Sequence, residues 1–66
     1  MNKSVIETII NHPIYTRSLK GQERIDGILG ELKEENVITD SQLNDNIGKP
    51  LTLDTVDDVV KFVESL

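Results

Sequence analysis

Apolar residues in the middle of the chain recur at the spacing of an α-helix, and this pattern constrains the fold most. Ile25, Ile28, Leu29 and Leu32 occupy positions i, i+3, i+4 and i+7, and charged residues lie between them. A stripe of this kind is typical of a helix that buries one face. We therefore predict a helix over about 22–35.

Two glycines and an asparagine refine this prediction. Gly27 and Gly30 lie inside the helix, where each costs up to about 1 kcal/mol relative to alanine. We predict that both permit the close approach of a neighbouring helix. Asn36 is suited to a left-handed C-terminal cap, with Val37 folding back on the last turn.

A capping signal and a proline bound a first helix over about 4–11. Ser4 and Glu7 form a Ser-x-x-Glu capping box ahead of an apolar pattern. Pro13 disfavours helical geometry at His12, so the helix should close near Asn11.

The stretch from Pro13 to Gly21 is predicted as a connector with at most one helical turn, which Tyr15 and Leu19 pin to the core. It is the longest connection and carries a basic cluster. Because functional residues are often on loops, the basic side chains are candidates for a site. They are Arg17, Lys20 and Arg24.

A third helix, over about 40–47, has the strongest local signal in the chain. Thr39 and Gln42 form a capping box, and Ile38 is placed to pack on Leu43. Gly48 and Pro50 follow and should end the helix.

The last helix is predicted over about 53–65, with Thr52 and Thr55 as alternative caps. Its apolar stripe is wider than a surface helix needs, which indicates contacts on two sides. Acidic residues near its N-terminus complement the helix dipole, so their presence is at least partly structural. They are Asp54, Asp57 and Asp58.

These segments predict an all-α fold: a small orthogonal or up-down bundle of three to four helices, forming a single domain over residues 1–66. A chain of 66 residues buries limited surface, and no cysteine is present to form disulfides. Stability must then come from helix packing, self-association or a partner. This favours a protein that acts by binding another molecule.

The charge is unevenly distributed along the chain. Residues 1–24 carry four cations against two acids, and residues 25–66 carry three against ten, which together give the net charge of −5. An acidic body repels phosphate backbones, so we predict no direct binding of nucleic acid. A helix-turn-helix reading of the second and third helices fails for the same reason.

Catalytic and metal-binding patterns are weak. His12 is the single imidazole of the sequence and has no evident triad partners, so we predict no enzyme activity and no catalytic residue. One histidine without cysteine does not build a zinc site. An EF-hand starting at Asp40 would have Asp45 in place of its glycine. No phosphate-binding glycine motif occurs. We predict neither a cofactor nor a metal.

Two stretches resemble an acyl carrier protein. Residues 32–40 are similar to the end of that family's second helix, and residues 55–63 are similar to its last helix; the order of the helices is also similar. The family's phosphopantetheine is carried by the serine of an Asp-Ser-Leu motif. Alignment through Leu32 places Gln22 there, and the nearby Ser18 follows Arg17 instead of Asp. The resemblance therefore implies an acyl-carrier-like domain that lacks a clear phosphopantetheine serine.

We predict a small acidic interaction or regulatory module that binds a partner protein. Acidic side chains would supply electrostatic complementarity, and an apolar edge would supply affinity. The candidate partner-binding residues are Glu31, Glu34, Glu35, Asp54, Asp57, Asp58 and Phe62. A phage-type acidic inhibitor of a nucleic-acid enzyme is an alternative, and so is a homodimer formed through Phe62, Val59 and Leu66.

The sequence also predicts a cytoplasmic location. The lack of cysteine fits a reducing compartment, and the N-terminal residues do not resemble a signal peptide. No apolar run approaches the ~20 residues of a membrane-spanning helix, so no membrane partner is expected.

Overall fold

Every regular element of the computed structural model, which describes residues 3–66, is helical. The elements are α1 (Lys3–Ile10), a π-helix (Ile14–Ser18), α2 (Gly21–Glu34), α3 (Asp40–Asn46) and α4 (Val56–Glu64). The predicted all-α class is therefore confirmed over the described range. Met1 and Asn2, the first two residues of the predicted domain, lie outside it.

The predicted bounds of α1, α2 and α3 each lie within one residue of those observed. The predicted cap of α1 is wrong, because Ser4 already lies inside the helix, where its carbonyl accepts a 2.9 Å hydrogen bond from the Thr8 hydroxyl. The start of α4 is also wrong by three residues. Of the two caps predicted as alternatives, Thr55 is confirmed, and Leu53 lies before the helix in non-helical backbone, buried in the core.

The ends of α2 and α3 follow the chemistry of their local sequences. Asn36 adopts a left-handed φ of 59°. Its N–H donates to Lys33 O at 3.0 Å, and Val37 N–H donates to Leu32 O at 2.8 Å. This pair of bonds is a Schellman motif. Thr39 and Gln42 form the reciprocal capping box that the sequence predicts.

The predicted connector contains a single π-helical turn. Leu19 N–H donates to Ile14 O at 2.8 Å, which is the i+5 bond of a π-helix. The Tyr15 hydroxyl donates to Gly27 O at 3.0 Å, and the Arg24 guanidinium donates from Nε to Tyr15 O at 3.0 Å. As predicted, Tyr15 is buried and Leu19 is half-buried against the core.

The core lies where α1 meets α2 and α4. Helix α1 contacts both of these helices, α2 contacts α3, and the π-helix contacts α1 and α2. The described residues bury no polar side chain, so the interior is aliphatic apart from one tyrosine. The buried residues are Ile6, Ile9, Ile10, Tyr15, Ile28, Leu29, Leu32, Ile38, Leu53 and Val59.

The two glycines of α2 differ in their surroundings. A Cβ at Gly27 would lie 2.9 Å from Tyr15 Cε1, so this glycine permits close approach of the π-helix, as predicted. A Cβ at Gly30 would meet nothing within 4 Å. The prediction of a packing role for Gly30 is therefore wrong.

Among the described residues, none of the helices has the length and apolar character needed to cross a membrane.

Candidate functional site

A groove between α1, the π-helix and the last turns of α2 is the concave surface that we consider as a site. It consists of two adjoining depressions, one of about 200 Å³ and one of about 300 Å³. We call them together the α1–α2 groove. The smaller depression is lined by Ser4, Val5, Thr8, Ile9 and Glu35. The larger one shares Thr8, Ile9 and Glu35 and adds His12, Ile14, Tyr15 and Glu31.

The lining of the groove is mainly apolar at its base. Ile9 and Tyr15 are almost fully buried, and Val5 is half-buried. Ile14, in contrast, is 41% exposed, so a large aliphatic side chain faces solvent at the edge of a concave surface. Side chains in this arrangement favour an apolar group of a ligand over water.

His12 has a local structural role beside this groove. Its Nδ1 accepts a hydrogen bond from Ile14 N–H at 3.2 Å, across the Pro13 turn. Its ring meets the Tyr15 ring edge to face, with centroids 6.3 Å apart. These contacts hold the entry to the π-helix and fix the position of Ile14.

Two carboxylates line the α2 side of the groove. Glu31 and Glu35 are exposed, one helical turn apart, and neither forms an ion pair with another described residue. The pKa of Tyr15 is raised above its ordinary value, first by burial and second by the charge of Glu31. The groove therefore combines an apolar base with a negative rim.

The position of these two acids does not help α2 to fold. Like charges at i and i+4 repel each other, and carboxylates at a helix C-terminus oppose its dipole. Glu31 lies in the last turn of α2, and Glu35 is its C-terminal cap residue. Helix formation therefore gives no reason for acids at these positions.

Glu34, the third acid of this turn, has local partners. Lys33 Nζ lies 3.6 Å from Glu34 Oε1 and 3.3 Å from Asp40 Oδ1. The pKa of Lys33 is raised, mainly by its hydrogen bond to Asp40. Glu34 lies outside the set of residues that line the groove.

The candidate acids near α4 serve the fold. Asp58 Oδ2 accepts from Thr55 N–H at 3.0 Å, and Asp58 N–H donates to Thr55 Oγ1 at 3.1 Å, which together form a capping box. Asp58 Oδ2 also accepts from Asp54 N–H at 3.1 Å. The Thr55 N–H is the main reason that the pKa of Asp58 lies below its ordinary value. Asp54 pairs with Arg24 at 3.6 Å, and Asp57 lies in the first turn of α4. None of these acids lines the groove.

The three basic candidates lie in different elements and differ in exposure. Arg17 is exposed on the π-helix, and Lys20 is the exposed N-cap residue of α2. Arg24 is not a loop residue, because it lies within α2 with its side chain only 17% exposed. It links Tyr15 O to Asp54 and is a structural residue.

The predicted dimer surface on α4 needs a correction. Val59 is fully buried and is not available to a second copy. Phe62 is half-buried against the core, and Leu66 is 44% exposed. A homodimer through Phe62 and Leu66 remains a prediction.

The position that aligns with the carrier serine lies at the start of α2. Gln22 donates from Nε2 to Lys49 O at 2.7 Å and to Asp26 Oδ1 at 2.9 Å. Asp26 Oδ1 also accepts from Gly48 N–H at 2.9 Å. The Gln22 side chain thus ties the segment after α3 to α2. Within residues 3–66, no group of three or more histidine, aspartate or glutamate side chains is arranged to hold a metal ion.

Most of the groove is not evident from the sequence. The sequence alone does not indicate that Thr8, His12 and Ile14 line a common surface. The sequence does show that Glu31 and Glu35 lie at the C-terminal end of a predicted helix, where the helix dipole disfavours acidic side chains.

Comparisons with protein-family models, curated proteins and solved structures found no match to the chain.

Proposed function

We propose that this chain is a small interaction module that binds a partner protein in the α1–α2 groove. The observation that supports this proposal is a concave surface that combines exposed Ile14, an apolar base and two carboxylates without an ion pair to any other described residue. Catalysis is not part of the proposal.

The composition of the groove resembles what protein interfaces use for affinity and specificity. A buried apolar anchor supplies most of the binding free energy, and charged groups at the rim supply orientation and association rate. Ile14 and Ile9 fit the first role, and Glu31 and Glu35 fit the second. Of the seven acidic and aromatic candidates predicted from sequence, these two glutamates are the ones that line the groove.

We also propose that the helices form an orthogonal or up-down bundle and that the protein is cytoplasmic. Contacts of α1 with both α2 and α4 support an orthogonal or up-down bundle. The two functional alternatives gain less support. An acyl-carrier function is less supported because Gln22 offers no hydroxyl for phosphopantetheine. An acidic mimic of DNA is less supported because Asp54 and Asp58 have partners within the fold.

The test is affinity capture from a lysate of the organism that encodes the protein, with a matched pair of variants. Ile14→Asp places a charge in the groove, whereas Ile47→Asp alters an aliphatic side chain that is 50% exposed but lies outside the groove. We expect the first variant to lose a partner that the parent chain and the second variant retain. Equal retention by all three would contradict the groove as the binding surface.

A further inference from the structure

We infer that the occupant of the α1–α2 groove is a cationic amphipathic helix, with Lys or Arg beside Glu31 and Glu35 and an aliphatic side chain against Ile9 and Ile14. This inference rests on the proposed function and specifies the chemistry of the partner.

The electrostatic position of the two glutamates favours a cationic partner. Helix α2 would be more stable with neutral or basic residues there, because its C-terminus carries partial negative charge. The acids of α4 show the opposite situation, since Asp57 and Asp58 lie at a helix N-terminus. A cation bound between Glu31 and Glu35 would remove the repulsion between them and complement the end of the helix.

Among residues 3–66, no cation pairs with the groove carboxylates. Lys33, the basic residue of the same turn, pairs with Glu34 and Asp40. No lysine or arginine is among the residues that line the groove, and His12 uses Nδ1 as a hydrogen-bond acceptor. The described residues therefore leave both groove carboxylates open to a cation from outside.

The spacing of the lining residues favours a helical partner. Ser4 and Thr8 are four residues apart along one side of α1, and His12 continues this spacing two residues beyond the helix. Glu31 in the last turn of α2 and its C-cap residue Glu35 have the same spacing. Both walls thus repeat with the period of a helix. Over the roughly 12 Å of α1, a helix of about two turns presents side chains at matching intervals. Helix-in-groove recognition uses such i, i+3 and i+4 anchors.

The test uses three designed helical peptides of about 14 residues, a length that allows helix formation on docking. The first has a leucine face flanked by lysines. The second keeps the leucines and replaces the lysines with glutamates, and the third keeps the lysines and replaces the leucines with serines. Binding is followed through amide chemical shifts of the full chain at low salt. We expect the first peptide to shift the amides of Thr8, Ile9 and Ile14 and to bind at least about tenfold more tightly than the others.

A matched pair of charge variants isolates the glutamates. Glu31→Gln with Glu35→Gln removes two groove acids, and Glu23→Gln with Glu64→Gln removes two exposed acids outside the groove. We expect the groove variant to bind the leucine–lysine peptide about tenfold more weakly, and to unfold at a higher temperature because the repulsion in α2 is gone. The control variant should bind like the parent chain.

The outcomes separate this inference from the proposed function. Equal binding of the leucine–lysine and leucine–glutamate peptides would overturn the cationic partner, and so would unchanged affinity in the groove variant. Failure of the leucine–lysine peptide to shift groove amides would overturn it as well. In each case, the proposed function would stand if Ile14→Asp still lost the captured partner, and it would fall if that variant lost nothing.

Discussion

At the scale of single residues, the contact between Gly27 and Tyr15 fixes how the π-helix lies on α2. The Tyr15 hydroxyl bonds to the Gly27 carbonyl, and the tyrosine ring occupies the space that a side chain at position 27 would need. Gly30 lies one turn further along the same helix and has no such neighbour. An alanine at position 27 therefore tests packing against Tyr15, whereas an alanine at position 30 tests helix propensity alone.

We expect Gly27→Ala to destabilise the fold by about 1–3 kcal/mol, because the new methyl group overlaps a ring that is buried and hydrogen-bonded. Gly30→Ala should instead stabilise it by about 0.5–1 kcal/mol, since alanine is the better helix former and open space surrounds it. Urea unfolding of both variants measures the two effects. A gain of stability in both would show that the tyrosine ring moves away freely.

Asp58 makes the stability of the fold sensitive to acid. Its pKa is lowered in the folded chain by the N–H groups it accepts from. A carboxyl with a lowered folded pKa contributes stability above its unfolded pKa of about 4, and this contribution is lost as pH falls through the folded pKa. The capping contribution is thus present at neutral pH and absent in acid.

We therefore expect Asp58→Ala to be less stable than the parent chain at neutral pH, with the difference shrinking as the pH falls below the ordinary range of aspartate. Unfolding free energies measured across acid and neutral pH test this. Asp57→Ala is the control, because Asp57 occupies the same turn but lies outside the capping box. A difference for Asp58→Ala that does not depend on pH would contradict a role for the ionised carboxylate.

At the scale of the helices, the end of α2 depends on one left-handed residue. Asn36 has a φ of 59°, a region that costs most side chains roughly 1–2 kcal/mol. We expect Asn36→Ala to lower stability by about 1 kcal/mol and Asn36→Gly to leave it nearly unchanged. Thermal unfolding of both variants measures this. Equal losses would mean that the asparagine side chain matters more than its backbone conformation.

At the scale of the whole molecule, α2 holds segments that are distant in sequence. Asp26 accepts from Gly48 N–H, 22 residues away, and Gln22 donates to Lys49 O, 27 residues away. Arg24 joins the π-helix to the residue before the cap of α4. Through these bonds, α2 sets the course of the chain between α3 and α4.

We expect Asp26→Ala to lower stability by about 1–2 kcal/mol, because the Gly48 N–H and the Gln22 amide lose a charged acceptor. The Gly48 amide should then exchange with solvent faster than in the parent chain, which hydrogen exchange detects. Asp45→Ala removes an exposed acid of α3 and is the control. Unchanged exchange at Gly48 would show that its bond to Asp26 does not hold this segment.

The local sequence determined the helices whose signals are local. The apolar period of residues 25–32 and the Thr39–Gln42 box placed α2 and α3 within one residue, and Asn36 ended α2 as predicted. Capping and periodicity depend on residues within one or two turns, so the sequence expresses them directly. Because the end of α2 is also a local signal, the unfavourable position of Glu31 and Glu35 at that end can be recognised from the sequence.

The tertiary structure decided the rest, because it depends on which distant groups meet. The turn that follows Pro13 became a π-helix where Tyr15 could reach Gly27 and Arg24 could reach Tyr15. Leu53, predicted as the first residue of the last helix, packs in the core before α4 begins at Val56. The groove exists because α1 and α2 place their side chains together, and no property of either segment alone predicts a surface that both must build.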